Sequence, residues 1–233
     1  MLKKETLNLL RINEASFRDI LSICVGKTYL AQNRFIDYIG NYNRWDTDIT
    51  KGILKLDNKL FNVEYIGTTS TADNYWYSSE LERAIPDEYV NIMINTRKTM
   101  QNLHINKLTE GKILLQNDIN GYNLSMIYIA FAPEKVAYFC GSGDTSIYMF
   151  VKGLPEEIFK KIKPIEFSSC IMQIISKFNV NHKLMIKALL TENEIKYTVE
   201  ENNILAKFNE HSIITIEFDS NDRIINFSGN LSL

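Results

Sequence analysis

The sequence predicts an α+β protein: a long N-terminal helix packed on an antiparallel sheet, followed by a second unit of helices and a four-stranded meander. Three observations carry that expectation. Apolar residues recur at three- and four-residue steps over 14–39, and they alternate with polar ones over 60–67. Beyond Pro164 the same order restarts, helical period first and alternation second.

The first helix is expected over 14–39, where Phe17, Ile20, Leu21, Cys24, Thr28, Ala31, Phe35 and Tyr38 form a broad apolar stripe and Gly40 ends it. So broad a stripe asks for a sheet beneath it. Strands near 52–57 and 60–67 are joined by Asp57-Asn58, side chains that tolerate positive φ in a two-residue turn. Phe61, Val63 and Tyr65 alternate with Asn62 and Glu64, the pattern of a half-buried antiparallel strand. A second helix is expected to begin at Pro86. Asp87 and Glu88 suit its first turn, Arg97 and Lys98 come later, and Tyr89, Ile92, Met93, Thr96, Met100 and Leu103 line up.

Residues 112–116 read as a strand. The run 122–131 is apolar without a decisive period, and its length favours a helix. Residues 136–140 and 146–151 form a hairpin around a loop Gly141-Ser142-Gly143-Asp144. Gly153, Pro155 and Pro164 then bracket a short helix at 155–162. That bracket divides the chain into a domain over 1–153, a connector over 154–164 and a small α+β domain over 165–233. The last comprises helices at 165–178 and 181–191 and strands at 195–200, 203–208, 212–218 and 223–228. Because helix then strands also opens the first half, a distant duplication is conceivable, although the halves share no motif.

Composition narrows the partners. The chain has 233 residues, 45% of them hydrophobic, enough for one substantial core or two smaller ones. A formal net charge of −2 gives no global field to concentrate a polyanion, and no local basic patch points to nucleic acid. Lys160, Lys161 and Lys163 follow Glu156 and Glu157 on one short helix, which complements its dipole. Cys24, Cys140 and Cys170 are odd in number, widely spaced and set in apolar runs, which fits free thiols in a reducing compartment. No leader is expected, no run approaches the about eighteen apolar residues of a membrane span, and the protein is expected in the cytoplasm. Abundant Asn, Lys and Ile suggest an AT-rich bacterial or phage genome.

Chemistry-bearing motifs are sparse. Zinc needs Cys or His at short spacing, and His104, His182 and His211 stand far apart, so no metal is expected. The 141–146 segment has glycines but neither the Lys nor the helix of a phosphate loop, and no cofactor is implied. Asp46 and Asp48 are spaced as Asp-x-Asp, whose side chains share a face on an extended segment. With Asp73 and His104 they are the candidates for an unrecognised active site. The richer constellation is Asp73-Asn74-Tyr75-Trp76-Tyr77-Ser78, preceded by Trp45. Large flat rings beside amide and carboxylate groups suit a binding surface or ligand pocket, and equally a strand filling the core.

One segment carries a resemblance. The strand with Val63 and Tyr65, the turn Ile66-Gly67-Thr68-Thr69-Ser70, the run Tyr75-Trp76-Tyr77 and the start Ile85-Pro86, preceded by Trp45 and Gly52, resemble the bacterial DUF6882 domain over residues 40–152. That family is defined by sequence and has no assigned activity, so the resemblance implies a fold and no reaction. Where the family carries Trp-x-Trp-x-Trp-x-Asn, this chain has Asn74, Trp76, Ser78 and Glu80.

Three function classes follow. The first is a non-enzymatic intracellular protein that binds another protein, as an inhibitor or immunity-type protein such as a phage-encoded anti-CRISPR, with Tyr75, Trp76, Tyr77, Asp73 and Trp45 as binding residues. The second is a small-molecule module with a pocket near Tyr75 and Trp76, and the third an enzyme built on the acids above.

Overall fold

The computed structural model describes residues 1–10, 14–70, 72–143 and 145–230. Among them the backbone forms six α-helices and eleven strands in two antiparallel sheets, an α+β protein. The chain resolves into two compact units, one made of Ala31–Phe159 with Met1, the other of Leu2–Leu30 with Lys160–Leu233. This differs from the expected domain over 1–153, because the start of the chain groups with its end. The cause is a close approach between segments far apart in sequence. A Cβ at Gly26 would lie 2.7 Å from the Met185 carbonyl oxygen and 3.0 Å from the Leu189 nitrogen, so only glycine permits so close an approach.

In the unit built on Ala31–Phe159, the chain enters through the last residues of α2 (Phe17–Ile39), which ends at Gly40 with φ 64°. Seven strands follow: β1 (Trp45–Asp48), β2 (Ile53–Leu56), β3 (Lys59–Ser70), β4 (Tyr75–Ser78), β5 (Lys112–Leu114), β6 (Ala137–Gly141) and β7 (Thr145–Lys152). The order β1-β2-β3-β4-β5 is extended by β7 on β3 and β6 on β7. The turn between β2 and β3 holds Asp57 at φ 50°, as its side chain allows. On one sheet face Phe35 and Ile39 of α2 pack with Leu54, Leu56, Val63, Tyr65, Phe139, Met149 and Val151. The free edge of β6 is closed by a side chain. The Gln32 amide donates to the Tyr138 carbonyl at 2.8 Å and accepts from the Tyr138 N–H at 3.0 Å, as a neighbouring strand would.

The opposite face is covered by α3 (Asn91–Asn102) and α4 (Gly121–Phe131). Every residue of α4 but Tyr122 is buried, which explains the missing period of its sequence: a helix enclosed on all sides has no polar face to mark one. The helix expected from Pro86 instead starts at Asn91. Asp87–Tyr89 form a separate 3-10 turn, and Val90, at φ −128° and ψ 4°, breaks the helical path. The reason lies on β3. The buried carboxylate of Glu64 accepts the Ile92 N–H at 2.7 Å and pairs with Lys152 at 2.7 Å, so the anion at this helix start comes from the sheet and not from Asp87 or Glu88. The helix expected at 155–162 is a 3-10 turn at Glu156–Phe159. Asp144 of the hairpin loop lies outside the described residues.

The other unit contains α1 (Lys4–Leu7), the first part of α2, α5 (Pro164–Lys177), α6 (His182–Glu192) and a meander β8 (Lys196–Glu200), β9 (Asn203–Lys207), β10 (Ile213–Phe218) and β11 (Ile224–Asn230), ordered β11-β10-β9-β8. Ile204, Ala206, Ile214, Ile216 and Phe218 give it a buried face. His182 joins helix to sheet: its Nδ1 accepts the Ile224 N–H at 3.2 Å. Burial foremost, then Arg18 and Arg223, hold its pKa below the ordinary histidine value. The folded state thus binds fewer protons than the unfolded chain, and the stability this contributes is present above the unfolded pKa and lost as pH falls through the folded one. Between about pH 7 and about pH 5 the melting temperature of the wild type should fall more than that of His182→Asn, whose amide oxygen accepts without titrating. Parallel melting curves would rule out this role.

Candidate functional site

Strand alternation divides the aromatic run on β4 between two environments. Trp76 and Ser78 face α4 and are buried, whereas Tyr75 and Tyr77 point to the other face and are half-exposed. Trp76, at 0% exposure, lies 5.2 Å from the Tyr148 ring and 5.8 Å from the Tyr128 ring. A Cβ on Gly67 would come within 2.5 Å of the indole. The Gly-Thr-Thr-Ser segment expected as a turn continues strand β3, paired with β4 and β7, and its glycine and the tryptophan of the aromatic run are therefore one packing device, a missing side chain that seats a large one. The binding role expected of Trp76 does not fit this enclosure; Trp76 is a core anchor.

Tyr75 and Tyr77 form an open pair with centroids 6.4 Å apart and planes at 53°. Lys112 reaches them from β5, its Nζ 3.9 Å from the Tyr75 centroid and 5.0 Å from that of Tyr77, a cation over two ring faces. The Tyr77 hydroxyl donates to the Asp73 carboxylate. That hydrogen bond is the first cause holding Asp73 below the usual carboxylate range, and contact with Tyr77 is the first cause raising Lys112. Leu114, opposite Tyr75 in the β4–β5 register, is 44% exposed and extends the patch with apolar surface. Lys112 could not be anticipated from sequence: only the pairing of β4 with β5 brings it to the rings.

The residues flanking Trp76 at alternate positions have their own contacts. Asn74 sits at φ 58°, a left-handed conformation that asparagine tolerates and tryptophan resists, and its Nδ2 donates to the Leu115 carbonyl at 3.0 Å. Ser78 donates to Glu80 at 3.1 Å, Glu80 pairs with Arg97, and Arg97 donates to the Thr109 carbonyl. Ser78 and Glu80 thus belong to a polar cluster with Arg97 and Thr109.

The remaining candidates do not converge. Trp45 rests on Gly141, where a Cβ would lie 2.3 Å from its ring, and against Phe139 with centroids 6.0 Å apart, so it does not join the tyrosine pair. Asp46 accepts the Thr47 N–H at 2.8 Å. Asp48 accepts from the Thr50 N–H and hydroxyl and pairs with Lys51 at 2.9 Å, contacts that pull its pKa down to about 2. Asp48 thus closes the turn after β1, while Asp46 stands within the strand. Among the described residues no group of three or more His, Cys, Asp and Glu side chains is placed to hold a metal ion. Cys24 and Cys170 are buried and Cys140 is half-buried, and among the described residues none of the three forms a disulfide.

No helix among the described residues is long and apolar enough to cross a membrane. A family model described as a family of unknown function (DUF6882) matches residues 18–154. No curated protein and no solved structure matches the chain.

Proposed function

The chain belongs to the DUF6882 family, and on that premise we propose that it is a non-enzymatic intracellular protein that acts by binding another protein through the face formed by Tyr75, Tyr77, Lys112 and Leu114. One observation carries this reading. Two half-exposed tyrosines, with a lysine over their rings and an exposed leucine beside them, combine flat apolar area with polar handles at the ring edges, and tyrosine is among the residues enriched in protein-binding hot spots. The Asp73 and Lys112 contacts hold the rings in place before a partner arrives, which reduces the ordering entropy lost on binding. An inhibitor or immunity-type protein needs no more than such a surface on a rigid sheet.

The test is affinity capture from cells of the source organism with the wild type and with Tyr75→Ala/Tyr77→Ala. Each ring is expected to contribute about 2 kcal/mol, so the double variant should weaken a purified partner by roughly 10³-fold while its melting temperature shifts little. A partner held equally well by the double variant, or none recovered by the wild type, would sink the reading.

A further inference from the structure

In the unit containing the meander, a groove of about 760 Å³ opens among α1, the end of α6 and strands β8 to β10. Its size falls in the range of small-molecule sites, and its lining is mainly apolar, with Ile195, Leu205 and Ile213 as its aliphatic residues. Leu205 and Ile213 stand out because the exposed face of this meander is otherwise polar, with Thr198, Thr215 and Glu217 at neighbouring positions.

The charges on its wall are arranged unusually. Lys196 on β8 and Lys207 on β9 are directly opposite in the register, and Lys207 is in turn opposite Ile213 on β10. Like charges directly across a strand pair repel. Among the described residues neither lysine has an ion pair, whereas three other lysines of this unit do: Lys3 and Lys161 both hold Glu194, and Lys183 holds Asp222. Glu194, one of the two carboxylates on the groove wall, is thus already engaged, which leaves Glu5 against two unmatched cations.

We propose that this groove binds an amphipathic anion, its aliphatic or aryl body laid over Ile195, Leu205 and Ile213 and its single oxyanion headgroup between Lys196 and Lys207. The anion relieves the cross-strand repulsion, and the apolar body covers side chains that water otherwise meets. The site uses Glu5 and residues between 191 and 213, all outside the family match over 18–154, so it is a property of this chain beyond the family domain and is independent of the tyrosine face.

The experiment is an amide-resolved NMR titration of the full chain with decanoate, decanol and decyltrimethylammonium, each below its micelle-forming concentration. Decanoate should bind saturably and shift amides within 195–213, decanol should bind at least about tenfold more weakly for want of the charge-assisted contacts, and the ammonium weaker still. Lys196→Gln/Lys207→Gln, two exposed substitutions, should reduce decanoate to the affinity of decanol; if that variant does not fold, Lys207→Gln alone should shift decanoate toward it. Equal affinity for all three headgroups, shifts confined to other residues, or no saturable response to decanoate would each overturn the proposal.

Discussion

Trp76→Ala should lower the free energy of unfolding by about 3 to 5 kcal/mol, the range for emptying a fully enclosed large aromatic site. The indole is 0% exposed and is held between Gly67, Tyr128 and Tyr148, and two of those neighbours are rings that cannot collapse into the void without leaving their own contacts. Among the described residues no acceptor meets the indole N–H. Trp76→Phe therefore removes volume without breaking a hydrogen bond within the protein, and should lose less than half as much. Urea denaturation of the two variants measures the difference. If Trp76→Ala shifts the midpoint no more than Tyr75→Ala does, the indole is not the anchor its enclosure implies.

The second large effect concerns the carboxylate that receives α3. Lys152→Met should destabilise the protein by about 3 kcal/mol, the lower end of the range for stranding one member of a buried ion pair, because the lysine side chain is itself 29% exposed and its attraction is partly screened. The burden falls on Glu64, whose side chain is only 6% exposed and so cannot replace the lost cation with water. Adding Glu64→Gln should recover a good part of the loss. The amide oxygen can still accept the Ile92 N–H, while the uncompensated charge is gone. A double variant less stable than Lys152→Met alone would show that the negative charge at the helix start matters more than its lysine partner.

Much of the architecture was legible because local signals agreed with one another. The helical period before Gly40, the turn at Asp57-Asn58 and the alternation of Val63 and Tyr65 all point to the elements found there. The start of α3 was not legible, because the group that receives its first N–H groups belongs to a strand far away in sequence. Nor was the assignment of residues 2–30, which depends on Gly26 meeting α6, a contact between segments that carry no shared pattern. At the candidate site the sequence marked the tyrosines but not their sorting from Trp76, which follows from which sheet face α4 covers, nor the arrival of Lys112.

The grouping of Leu2–Leu30 with Lys160–Leu233 has a consequence for how the chain acquires its structure. Residues 2–30 are synthesised before the sheet of the Ala31–Phe159 unit, and their packing partners in 160–233 only after it, and contacts this distant along the chain are slow to form. During that interval the apolar side of α2 has only the nascent sheet to meet, through Phe35 and Ile39. Residues 2–30 and 160–233 can therefore complete their unit only after the intervening one has been synthesised.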